Sequence, residues 1–197
     1  NGSVYTASID TVTSLDVSSL SITDLTGIED FTALTYLDCR NTLLTSLDVS
    51  ANTALTTLFC YNNQLTSLDV SQNTDLDYLM CNNNQLTSLD VSANLALTGL
   101  QCHSNQLTTI DVSNNLALTD LYCGSNQLTN LVLTANTALE GLFCFHNPIT
   151  SIDVTQNTSL TDLRCFFNQL PTLDVSNNTS LERLYCHYNQ LTTLDVS

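Results

Sequence analysis

Apolar positions recur along this chain every 21 residues, and the clearest copy is LTTLFCYNNQLTSLDVSQN, residues 55–73. The copy reads Leu-x-x-Leu-x-Cys-x-x-Asn and then Leu-x-x-Leu-Asp-Val-x-x-Asn. Leu55, Leu58, Cys60 and Asn63 carry the first half; Leu65, Leu68, Val70 and Asn73 carry the second. A fixed period between about 20 and 50 residues marks a solenoid, whose coils bury their apolar edges against one another. Leu58-Phe59-Cys60 and Leu68-Asp69-Val70 alternate in the two-residue rhythm of a strand with one buried face. The stretches between are only about five residues long and rich in Asn, Ser and Thr, which favour turns over helix interiors. The pattern predicts parallel strands on both faces, few or no helices and low curvature. About nine coils at about 4.8 Å per coil give an array about 43 Å long.

The whole chain, 1–197, reads as one array. Residues 39–197 are regular and stop mid-repeat; residues 1–38 are atypical. There Val12, Leu15 and Val17 match a strand with Val17 in the cysteine slot. The next interval is one residue longer, with Ile22, Leu25, Ile28, Phe31 and Leu34 expected to face inward. Solenoid ends need polar caps, so the ends are expected to continue into flanking repeats or caps.

Four columns barely change from coil to coil. All eight cysteines, from Cys39 to Cys186, share one register. Side chains about 4.8 Å apart are too distant for disulfides, whose Cβ atoms lie about 3.8 Å apart. A row of thiols is not a closed metal site, so the reading is a buried ladder of inert small apolar groups. Two asparagine columns, Asn63 to Asn189 and Asn52 to Asn178, are read as buried amides that satisfy backbone groups at the coil corners. The Asn157 and Asn178 sequons fall on that ladder and are read as structural. Asp48, Asp69, Asp90, Asp111, Asp153, Asp174 and Asp195 form the fourth column, interrupted by Val132. Carboxylates at this spacing repel, so hydrogen bonds from the backbone or from Ser and Thr are expected to offset them. Calcium at Asp48, Asp69, Asp90 and Asp111 and an ice-binding Ser/Thr surface are the weaker alternatives.

The Leu-x-x-Leu-x-Cys-x-x-Asn pattern over nearly the whole chain resembles the leucine-rich repeat family. The 21-residue length, the cysteine in the third apolar slot and the LDVS half are similar to internalin-type repeats of bacterial surface proteins. The resemblance implies a leucine-rich repeat solenoid of stacked parallel strands, a recognition role for the strand-bearing face and a secreted or cell-surface location.

Variation gathers beside the cysteines. The flanking outward columns hold every Arg, every His, the one Met and all aromatics except Tyr5 and Phe31. The candidate binding residues are Phe59, Tyr61, Tyr78, Met80, His103, Tyr122, Phe143, Phe145, His146, Arg164, Phe166, Phe167, Arg183, Tyr185, His187 and Tyr188. Tyr, Phe, Met and Arg are the residues enriched in binding patches. Cross-strand aromatic ladders also stabilise sheets by about 0.2–1 kcal/mol per pair, so a plain structural spacer, a stalk or filament segment, is the rival reading. The monotony of the opposite face favours recognition, with a protein or a glycan as partner.

Charge and chemistry narrow the functions further. A formal net charge of -16 with three Lys+Arg argues against nucleic acid and against docking on anionic lipid. No apolar run has the length of a membrane-spanning helix, so no direct membrane insertion is expected. No cysteine or serine has a base in reach and no paired carboxylates share a pocket, which predicts a non-catalytic module with no cofactor.

Overall fold

A computed structural model describes residues 9–197. Each regular coil turns six apolar side chains inward. In the coil of Cys102 these are Leu97, Leu100, Cys102, Leu107, Ile110 and Val112, all buried. They stack on their counterparts above and below, so the core is a continuous column of such layers. The arrangement is a parallel-strand leucine-rich repeat solenoid of about nine coils.

The Leu-x-Cys segments pair into a nine-stranded parallel sheet. Its strands are β1 (Ser14–Asp16), β2 (Tyr36–Asp38), β3 (Thr57–Phe59), β4 (Tyr78–Met80), β5 (Gly99–Gln101), β6 (Asp120–Tyr122), β7 (Gly141–Phe143), β8 (Asp162–Arg164) and β10 (Arg183–Tyr185). Register is strict: Leu58 lies beside Leu79 and Leu79 beside Leu100. The atypical N-terminal segment obeys it too. Leu15 pairs with Leu37, which places Val17 in the cysteine slot. In the longer interval Ile28 and Leu34 are buried, while Ile22, Leu25 and Phe31 are half-buried against the core. A single 3-10 turn, Ile28–Asp30, is the helical element among the described residues.

Strands on both faces were expected, and the structure corrects this. On the Leu-Asp-Val side only β9 (Thr172–Asp174) and β11 (Thr193–Asp195) pair. Elsewhere this half forms no ladder, and its hydrogen bonds lie in the turn that follows it. The Asp69 carboxylate accepts from Ser71 N–H at 2.9 Å, and Asn73 N–H donates to the Val70 carbonyl at 3.0 Å. Between β9 and β11 the backbone makes a further bond, Thr192 N–H to the Pro171 carbonyl at 2.9 Å. The Pro171 ring fixes φ near the extended range at that point.

The thiols form the expected ladder: seven are buried and Cys186 is half-buried, all free. Burial pushes Cys39, Cys102 and Cys165 up to about 12, and raises the other buried thiols as well. The sheet-side asparagines bond the backbone as expected, with Asn63, Asn84 and Asn189 half-buried rather than buried. Asn105 Nδ2 donates to the carbonyls of Cys81 and Cys102, and its Oδ1 accepts from Leu86 N–H at 3.0 Å. The opposite column meets the expectation by half. Asn94 Nδ2 donates to Val70 and Asn73, but the Oδ1 atoms of Asn52, Asn73, Asn94, Asn115, Asn136, Asn157 and Asn178 are buried without a partner. Asn157 and Asn178, the two sequon residues, are thus buried with their amides engaged.

Candidate functional site

The site is built on the outward side of the nine-stranded sheet and on the turn that follows it. Strand alternation turns the residue before each cysteine outward, and the two residues after it continue the same edge. None of the candidate aromatics is buried; they are half-buried or exposed. In the C-terminal coils they meet in three columns. Before the cysteines, Tyr122 stacks on Phe143 at 4.1 Å, and the Arg164 guanidinium lies 4.1 Å over Phe143 and 5.2 Å from Tyr185. One residue after, Phe145, Phe166 and His187 stack at 4.8 Å intervals. Two after, His146, Phe167 and Tyr188 stack at 4.2 Å intervals. Edge-to-face contacts join the last two columns, such as Phe166 to Phe167 at 5.9 Å.

The N-terminal candidates stand apart from this group. Phe59 sits edge-on between Tyr36 and Tyr78. Tyr61 accepts a hydrogen bond from Arg40 at 2.9 Å. Met80 and His103 are half-buried on the same sheet, and burial lowers the His103 pKa. Tyr78 lies across Gly99, whose missing side chain leaves room for the ring, and its hydroxyl accepts from Gln101 at 3.1 Å. Phe145 likewise covers Gly124. Those glycines are therefore complementary to a neighbouring ring rather than freely drifting positions.

Sequence reasoning missed Asp162 as a site residue. It is buried, and it accepts from Arg164 Nε at 3.1 Å and from Arg183 Nε at 2.7 Å. Burial alone would raise its pKa, but the hydrogen bonds and charges of the two arginines bring it below the usual carboxylate value. Its signal was present, because Asp162 is two residues from Arg164 and one repeat from Arg183. Arg40 is paired in the same way with Asp38 at 3.2 Å. All three arginines are thus held by carboxylates of the sheet.

The second unanticipated feature is backbone conformation. The residue two after each cysteine has a left-handed φ of 52–56°. In the early coils it is Asn41, Asn62 and Asn83, then Ser104 and Ser125; in the last three it is His146, Phe167 and Tyr188. Asn tolerates this region, whereas a bulky residue there is an outlier, at about 1–2 kcal/mol.

On the opposite side the aspartates are exposed, and their carboxylates find partners in their own turns. Asp48, Asp69, Asp90 and Asp111 each accept from the amide two residues on, at 2.9 Å. Side-chain and backbone hydrogen bonds from the serine two residues on lower all four pKa values. Among the described residues, no group of three or more His, Cys, Asp or Glu is placed to hold a metal ion, and no helix is long and apolar enough to cross a membrane.

Comparison with known proteins agrees with this architecture. A family model described as leucine-rich repeats (2 copies) matches residues 53–94. The functional domain of InlJ from Listeria monocytogenes, reported to include a cysteine ladder, is 37% identical with a TM-score of 0.55; the match covers 96% of this chain and 54% of that one. A leucine-rich repeat protein of Leptospira interrogans is 25% identical with a TM-score of 0.77, over 86% of this chain and 50% of that one. Internalin C2 of Listeria monocytogenes, 21% identical with a TM-score of 0.75 over 96% of this chain and 77% of that one, shares the fold. The chain spans about half the length of the first two structures. No curated protein matches it.

Proposed function

We propose, for a chain that is a leucine-rich repeat array of internalin-like 21-residue repeats with a cysteine ladder, a non-catalytic protein-recognition module of a secreted or cell-surface bacterial protein. The fold is one typical of protein-binding modules. The binding surface is the outward side of the cysteine-strand sheet, centred on Phe143, Phe145, Arg164, Phe166 and Tyr185. The N-terminal candidates Phe59, Tyr61, Tyr78, Met80 and His103 form its periphery.

One observation carries the reading. Rings and an arginine of four successive coils stack on one another along one side, half-buried or exposed, while the opposite side repeats Asp and Ser or Thr almost unchanged. Large exposed apolar patches on soluble proteins mark interaction sites. The stacking also discriminates between partners. Phe143 has Tyr122 on one side and Arg164 on the other, and Phe166 is stacked between Phe145 and His187. Their faces are occupied, so a sugar ring has no flat aromatic platform on them, whereas polypeptide side chains can pack on ring edges. That favours a protein over a glycan.

The test is a Phe143→Ala, Phe166→Ala, Tyr185→Ala triple variant, checked for its fold and compared with the parent on arrays of extracellular protein domains and of glycans. The expected result is binding to protein domains that the variant loses. Binding retained by the variant, or binding confined to glycans, overturns the reading; a parent that binds neither array supports the stalk.

A further inference from the structure

We infer that the left-handed column His146–Phe167–Tyr188 is the contact strip for an extended polypeptide segment that combines apolar side chains with lysine or arginine. This rests on the protein-recognition reading and names its partner chemistry. The strip's backbone is the first reason. Six earlier coils place Asn or Ser at this left-handed position, and only the last three place a ring there. Residues held in a disfavoured backbone region cluster at binding and catalytic sites.

The rings are also presented outward. All three are exposed, Phe167 by 40% although a coil follows it. Phe167 is stacked on both faces, which fixes its orientation before any partner arrives and turns its edge to solvent. Preorganised aromatic groups lose little freedom on binding. Beside the strip runs a shallow recess of about 360 Å³ lined by His146, Pro148, Phe167, Gln169 and Tyr188. Gln169 and Gln190 are exposed along the strip, and their amides can both donate to and accept from an extended backbone.

Charge selects the partner. The chain carries 19 Asp+Glu against three Lys+Arg. All three arginines are already paired, Arg40 with Asp38 and both Arg164 and Arg183 with Asp162. The protein therefore offers no unpaired Arg or Lys to an acidic segment, and its net negative field attracts a basic one.

Three Asn substitutions test this: His146→Asn, Phe167→Asn and Tyr188→Asn, each installing the residue found at this position in the early coils. The probe is an array of short peptides pairing Leu, Phe or Trp with either Lys and Arg or Asp and Glu, read with the full chain. The parent is expected to retain the basic apolar peptides, less so at raised salt. Phe167→Asn is expected to lower that retention by about tenfold or more. His146→Asn and Tyr188→Asn, each with one stacked neighbour within the column, are expected to keep or raise the urea midpoint while weakening retention. Preference for acidic peptides, no retention of any peptide, or equal retention by parent and variants overturns the proposal. So does a midpoint that falls in both single-neighbour variants, which would make the strip a structural staple. If the alanine triple variant loses its protein partners while the Asn variants keep them, the strip inference fails and the broader reading stands.

Discussion

The two asparagine columns stand at opposite corners of each coil and end in different states. At the sheet-side corner, Asn105 Oδ1 receives Leu86 N–H, an amide of the previous coil. At the other corner the amides that flank the turn bond within it. Asn94 N–H donates to the Val91 carbonyl and Leu97 N–H donates to the Asn94 carbonyl. No amide donates to the Asn94 Oδ1 and its Nδ2 is pinned by two carbonyls, so the oxygen stays unpartnered. The same division runs through the whole coil. The sheet side relies on inter-coil ladders, buried thiols and interlocking rings; the other side relies on local turns. A side held by inter-coil packing can carry varied side chains outward only if neighbours fit one another. That is how Tyr78 fits Gly99, and Asp162 fits Arg183.

The largest effect expected to sharpen this contrast is alkaline unfolding. Thiols line the inner edge of the sheet, whereas the other half has Val at the equivalent place. The buried thiols are raised above 9.0, three of them to about 12. Below pH 9 folded and unfolded thiols are both protonated, and their contribution is fully present. As pH rises from 9 towards 12 the unfolded chain ionises and the folded chain does not, so stability is lost at about 1.4 kcal/mol per thiol for each pH unit. Urea midpoints measured across this range are expected to fall steeply, and less steeply in a Cys102→Val, Cys123→Val variant. A flat profile would mean that the thiols ionise freely in the fold.

Next in size is the pair Asn105→Leu and Asn94→Leu. The first strands Leu86 N–H in the core, at several kcal/mol, on the order of the penalty for an unpaired buried polar group plus its lost hydrogen bonds. The second strands no amide, and both carbonyls it leaves keep a backbone partner, so its cost is clearly smaller. Denaturation curves of equal midpoint would erase the distinction between the corners. The smallest effect is Val132→Asp. Val132 is exposed where the other coils have Asp. A carboxylate there is expected to accept from Thr134 N–H, as Asp153 accepts from Thr155 N–H at 2.9 Å, and to raise the melting temperature slightly. A lower melting temperature would show that the local turn is not what holds this side.

Much of the fold was legible from the period. Leu100 and Cys102 point inward and Gln101 outward because side-chain direction along an extended backbone is set locally. The same logic placed Val17 in the cysteine slot across a longer interval. It failed on the Leu-Asp-Val half. There the alternation is as clear as beside the cysteines, yet only β9 and β11 form a ladder. The site was legible as a set of columns but not as contacts. The sequence placed Phe145, Phe166 and His187 in one column, but not their parallel stacking, nor the separation of Met80 and His103 from the C-terminal cluster.

By itself, then, the sequence determined the coil: its length, its inward column of leucine and thiol, and which edge varies. Those are properties of a short stretch of backbone repeated 21 residues later. Tertiary structure alone decided which neighbours share a proton or a ring face. It tied Asp162 to two arginines, left eight buried asparagine oxygens unpaired and put three aromatic rings on a left-handed backbone. The reason is that such contacts depend on distances of a few ångströms between coils, and on which amide has already been claimed, which no periodicity encodes.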